Sequence, residues 1–157
     1  AKTLFPYTTL FRSSPYSDHQ TSVEQLLVGT AAQESGGFLY LRQNGAGPAL
    51  GLWQMEPATF YDLWRRCPLP LKDALRAQAG AHSPDAEAVA WDHRFAAMMA
   101  RLKYRDDSLP LPKPGDVSGM AWAWKHGYNS LDGGGTVEQF VFSWRRYVAP
   151  FQKEMWP

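Results

Sequence analysis

Ser22-Val23-Glu24-Gln25-Leu26-Leu27-Val28-Gly29-Thr30-Ala31-Ala32-Gln33-Glu34-Ser35 reads as a helix that ends in an acid. Val23, Leu26, Leu27, Thr30, Ala31 and Glu34 recur at three- and four-residue steps, the spacing of one helical face. Ser22 is the expected N-cap, with Gln25 three residues on as its capping-box partner. Gly36-Gly37 supplies the stop. Leu27, Ala31 and Glu34 share a face whose other members are apolar. A carboxyl there loses water, which favours its neutral form. A neutral carboxylic acid is what protonation of a leaving oxygen requires.

Downstream, Phe38 to Leu41 reads as a short strand, Asn44-Gly45 as a turn and Leu50 to Trp53 as a return strand. Pro57 suits the first turn of a helix that carries Phe60, Leu63 and Trp64, and Cys67-Pro68-Leu69-Pro70 ends it. A further helix is expected over 70–79. Ser83-Pro84 should open the longest one, running to Tyr104 with Val89, Phe95, Met98, Met99 and Leu102 as its buried stripe. Leu109 to Gly115 is a stiff proline-rich connector. Met120 to Tyr128 reads as a short aromatic helix and Gly133-Gly134-Gly135 as a loop. Thr136 and Gln139 should cap a last helix bearing Val137, Phe140, Val141, Trp144 and Val148. The expected class is therefore α+β, predominantly helical, with a small β element after the first helix.

Composition bounds the function. The 157 residues carry 45% apolar and 20% charged side chains, an ordinary globular balance. Sixteen Lys and Arg face fifteen Asp and Glu, and no block of five like charges marks a nucleic-acid surface. A single cysteine, Cys67, excludes an internal disulfide. No apolar run is long enough to span a bilayer. His19, His82, His93 and His126 show no metal-ligand spacing, so neither a metal nor another cofactor is expected. Asp92-His93 lacks a nucleophile motif, and the triple glycine lacks the lysine of a phosphate loop. Aromatic residues reach 14%, with seven Trp. These fit a small aromatic core or a groove that stacks on sugar rings.

Residues 3–13, Thr-Leu-Phe-Pro-Tyr-Thr-Thr-Leu-Phe-Arg-Ser, resemble the conceptual translation of a sequencing-adapter oligonucleotide. The expectation is that residues 1–13 are not native and that Phe5, Tyr7 and Phe11 pack poorly on the rest. Residues 14–157 then form one domain. Without Lys2 and Arg12, 14 basic residues oppose 15 acidic ones, so the net charge of +1 becomes −1.

Three motifs stand in order: Glu34-Ser35, then Gly51-Leu52-Trp53-Gln54 with Pro57-Ala58-Thr59, then Gly127-Tyr128-Asn129. Over residues 22–148 the chain resembles the soluble lytic transglycosylases and goose-type lysozymes, and within them a bacteriophage branch. Their motifs read Glu-Ser, Gly-Leu-Met-Gln with Pro-x-Thr, and Ala-Tyr-Asn, so Trp53 and Gly127 depart from the pattern. The resemblance implies a lysozyme-like fold and a lone catalytic acid, Glu34. It implies support from Ser35 and from Tyr128, whose hydroxyl would approach the acid. Gln54 and Asn129 would line the cleft. Trp53 and Tyr40 are added as sugar-contact candidates, and Glu56 as the nearest second acid.

The implied activity is cleavage of the β-1,4 bond between N-acetylmuramic acid and N-acetylglucosamine in peptidoglycan. Glu34 would act first as acid and then as base, with the substrate's N-acetyl group assisting. Return of the proton from the sugar's own 6-hydroxyl gives a 1,6-anhydro product; activation of water gives hydrolysis. No acid lies between Ser35 and Met55, which favours the anhydro outcome. The expected partner is a peptidoglycan strand, met by a monomer carried on a virion or delivered to the wall as a lysin. The competing class is a non-catalytic glycan-binding or virion structural domain of the same shape.

Overall fold

The structure, a computed structural model, describes residues 17–78, 85–107, 109–130 and 133–156. The expectations for residues 1–13, for His82 and for a helix opening at Ser83-Pro84 lie outside them. The described chain is predominantly helical. It comprises α1 (Asp18–Glu34), α2 (Pro57–Arg66), α3 (Leu69–Gln78), α4 (Ala88–Trp91), α5 (His93–Asp106), α6 (Val117–Ala123), α7 (Val137–Ser143) and α8 (Gln152–Met155). Wide π-helical turns continue α6 over Trp124–Tyr128 and α7 over Trp144–Val148.

The first helix starts one turn earlier than its sequence pattern predicts. Ser17 is the N-cap, and its hydroxyl accepts from the Gln20 amide at 3.3 Å. Ser17 and Gln20 repeat the Ser-x-x-Gln spacing of Ser22 and Gln25, so the pattern alone could not separate the two. Ser22 is buried within the helix. Gln25 instead accepts the Gly115 N–H at 2.7 Å, which ties α1 to the connector. The helix ends as expected: Gly36 and Gly37 both adopt positive φ.

The expected β element does not form strands among the described residues. Two isolated antiparallel bridges, Arg42 with Leu50 and Leu50 with Met55, are all that pairs between residues 36 and 56. Left-handed backbone at Phe38 and Gly51 interrupts the two expected strands, and further left-handed residues at Gly45, Ala46 and Gln54 turn the chain between and after them, so no ladder extends. Gly51 combines a φ of +72° with close approach: a Cβ there would stand 2.0 Å from the Val89 carbonyl oxygen. The chain is therefore a compact loop pinned to α4.

The long helix expected through Tyr104 is broken at Asp92. That residue leaves helical geometry, and its carboxylate caps α5 by accepting the Phe95 N–H at 3.0 Å. The longest described helix is α1, with 17 residues. Phe95, Met98 and Met99 are buried as the stripe predicts, and Leu102 is partly buried against the same core. Thr136 and Gln139 do form the reciprocal capping box of α7. Between α1 and α5, the Thr30 and Tyr104 hydroxyls share a buried 2.6 Å hydrogen bond. That link fixes the end of α1 against α5 at Tyr104, the residue next to Lys103.

Candidate active site

Glu34 is the last residue of α1, half-buried, and lies where two cavities meet. One is about 320 Å³, lined among others by Lys103, Tyr128 and Thr59. The second, about 530 Å³, is lined among others by Tyr40, Asn44 and Gly36. Glu34, Gln54, Glu56 and Asn129 line both, so the two form one trough with the acid at its middle.

The Glu34 carboxyl has one protein hydrogen bond among the described residues. Its Oε1 accepts the Trp124 indole N–H at 2.7 Å. Burial pushes its pKa above the usual carboxylate range; the Trp124 hydrogen bond and the Lys103 charge pull against that shift without cancelling it. With Oε1 accepting, the proton of the neutral acid resides on Oε2.

The residue that holds Glu34 is thus Trp124 and not Tyr128. Tyr128 is buried, and its hydroxyl donates 2.8 Å to the Trp53 carbonyl oxygen. It still lines the smaller cavity and carries the Lys103 ammonium, 4.1 Å from its ring centroid. Lys103 also donates to the Tyr128 carbonyl oxygen. Burial lowers the Lys103 pKa, while Glu34, Asp107 and Glu56 oppose that shift.

The remaining expected residues divide. Gln54 lies in the trough with a left-handed φ of +44°, strain of the kind that gathers at functional sites. Its Nε2 donates to the Gly51 and Tyr40 carbonyl oxygens, leaving its Oε1 without a protein partner among the described residues. Tyr40 is exposed on the wall of the larger cavity. Glu56 caps α2 by position but makes no side-chain cap bond, and its exposed carboxylate faces the trough instead. Asn129 lines both cavities, with its Oδ1 accepting the Ser130 N–H at 2.7 Å.

Two expectations are corrected. Trp53 is a core residue, 8% exposed, whose indole N–H donates 2.9 Å to the Leu27 carbonyl oxygen. It cannot stack on a ligand in the trough. Ser35 is fully buried and lines neither cavity. Its hydroxyl donates to the Ala31 carbonyl oxygen at 2.6 Å and accepts the Phe38 N–H at 2.8 Å. It shapes the turn after Glu34 and does not reach a substrate.

Trp124 and Lys103 are the site residues that motif spacing missed. Lys103 follows Phe95 and Met99 at four-residue steps, so a cation stood in an apolar stripe, which was a readable signal. Trp124 is four residues before Tyr128 and stood among seven tryptophans that fit core packing as well as sugar stacking. The triple glycine completes the site. A Cβ on Gly135 would meet Trp124 Cη2 at 2.5 Å and Asn129 Nδ2 at 2.9 Å. Only a bare backbone fits against the indole that holds the acid.

Among the described residues, no group of three His, Cys, Asp or Glu could hold a metal ion, and no helix is long and apolar enough to cross a membrane. The chain matches no protein-family model, no curated protein and no solved structure.

Proposed function

We propose that this chain cleaves the β-1,4 glycosidic bond between N-acetylmuramic acid and N-acetylglucosamine in peptidoglycan, with Glu34 as general acid and then base. The observation that carries the reading is the half-buried Glu34 carboxyl, its pKa raised by burial, at the centre of a trough shared with Gln54, Glu56 and Asn129. The ordered Glu-Ser, Gly-Leu-Trp-Gln and Tyr-Asn motifs support it, and a lysozyme-like fold is part of the same proposal.

In this mechanism the glycan lies along the trough and Glu34 Oε2 gives its proton to the bridging oxygen. The C–O bond breaks as an oxocarbenium-like centre forms, stabilised by the substrate's N-acetyl carbonyl. The Trp124 N–H and the Lys103 charge stabilise the carboxylate left behind, and Gln54 Oε1 accepts from an N-acetyl N–H. Glu34 then takes a proton from the 6-hydroxyl as that oxygen closes on the anomeric carbon, giving the 1,6-anhydro sugar. Glu56 lining both cavities favours a second outcome, in which water replaces the 6-hydroxyl and the enzyme is a muramidase. Glu34→Gln tests the assignment. Lysis of cell-wall suspensions should fall by about 10²–10⁴-fold, while binding to insoluble peptidoglycan persists. Undiminished lysis in that variant removes Glu34 from the mechanism.

A further inference from the structure

A third cavity, of about 280 Å³, lies between α5 and the proline-rich connector and shares no lining residue with the trough. Arg101, Arg105 and Asp107 supply its polar wall; Leu26, Leu109 and Leu111 are among its apolar ones. Arg101 and Arg105 stand one helical turn apart, a like-charge spacing that destabilises a helix. Neither guanidinium has a hydrogen-bond or ion-pair partner among the described residues. Arg42, Arg65, Arg66 and Arg76 are each paired with a carboxylate, and the equally unpaired Arg145 and Arg146 are exposed, whereas Arg101 is partly buried. Arg101 is only half-exposed, and its Nε is out of contact with solvent with nothing to donate to. A buried donor left this way is costly, and such groups in native proteins call for a partner.

We propose that this cavity binds the C-terminal carboxylate of a short peptide with small apolar side chains. One guanidinium fork matches the two oxygens of a carboxylate, and Arg105, exposed one turn along the same face, adds a second positive charge. Asp107, on the same wall, accepts a peptide N–H and disfavours a dianion. The leucine walls require an apolar body, which an inorganic anion lacks. The volume is at the lower end for ligand pockets and suits one or two small residues. Burial, and secondarily the Arg105 charge, lower the Arg101 pKa, as expected of a cation waiting for its counter-ion. Only the source of the peptide, the stem peptide of peptidoglycan, rests on the function proposed above.

The test is calorimetric titration of the full chain with N-acetyl-D-alanyl-D-alanine, with its C-terminal amide, and with inorganic phosphate. The dipeptide should bind saturably. The amide, and the dipeptide against Arg101→Gln, should each bind at least about tenfold more weakly, the scale of one lost charge-assisted hydrogen bond. Arg101→Gln should melt no lower than the parent chain, since it removes an unpaired desolvated charge. The Glu34→Gln chain should bind the dipeptide unchanged, which separates this site from the glycan-cleaving reading. Absence of saturable dipeptide binding, equal binding of the amide, or phosphate binding as tight as the dipeptide overturns the proposal.

Discussion

Replacing Trp124 by Phe isolates the interaction that sets the state of Glu34. The indole N–H is the carboxyl's one protein hydrogen bond among the described residues, at 2.7 Å, and the ring is 1% exposed. A hydrogen bond to a charged group contributes about 1.5–3 kcal/mol. The smaller ring also leaves a void that costs on the order of 1 kcal/mol. The sum predicts a loss of about 2.5–4 kcal/mol in urea denaturation at a pH where Glu34 is ionised. At a pH where Glu34 is neutral the acceptor is weaker and the loss is smaller. The donor favours the ionised form, so removing it moves the Glu34 pKa further up. The alkaline limb of the lysis-against-pH profile must then move to higher pH, as must the carbon-13 titration of the Glu34 carboxyl. Trp144→Phe is the control: an equally buried indole, stacked on Trp156, that makes no hydrogen bond to Glu34. It should lose packing stability and leave the titration in place. Identical titrations for the parent chain and Trp124→Phe refute the reasoning.

Three further outcomes follow from the same geometry. Because burial raises the Glu34 pKa, the stability it contributes is present at low pH and is lost as pH rises through the folded-state value; Glu34→Gln should therefore gain stability relative to the parent chain as pH rises, read from urea midpoints at paired pH values. Gly135→Ala forces a methyl against Trp124 and Asn129, so calorimetry should show a loss of about 1–3 kcal/mol, accompanied by reduced lysis. Trp53→Phe removes the hydrogen bond to Leu27 and should cost about 1–3 kcal/mol, with kcat/KM for wall cleavage nearly unchanged because the ring is outside the trough.

Periodicity made the helices legible, since each buries a stripe that recurs in sequence: Phe95, Met98 and Met99 on α5, and Phe140 and Trp144 on α7 and its wide turn. It failed where one polar side chain outweighed the stripe. Asp92 broke a long helix by capping a new one, and Ser17 displaced Ser22 as the first cap. The strands were misread because alternation cannot reveal left-handed backbone at Phe38, which is not a glycine and opens the first expected strand. In the trough, Glu34, Gln54 and Asn129 were accessible from motif order, Glu56 from its nearness to Gln54, and Tyr40 only as one aromatic among several. Partners were not: sequence gives no means to know that Tyr128 donates to Trp53 while Trp124 donates to Glu34. Trp53 looked like a sugar platform from its neighbours, and only packing against α1 places it in the core.

Purified peptidoglycan, incubated in parallel with the parent chain and with Glu34→Gln, offers the most direct measurement, with the released fragments weighed by mass spectrometry. The account predicts disaccharide-peptide fragments from the parent chain, one water lighter than hydrolytic products, and none from the variant. Sacculi left intact by the parent chain, or the same fragments from both proteins, would contradict it.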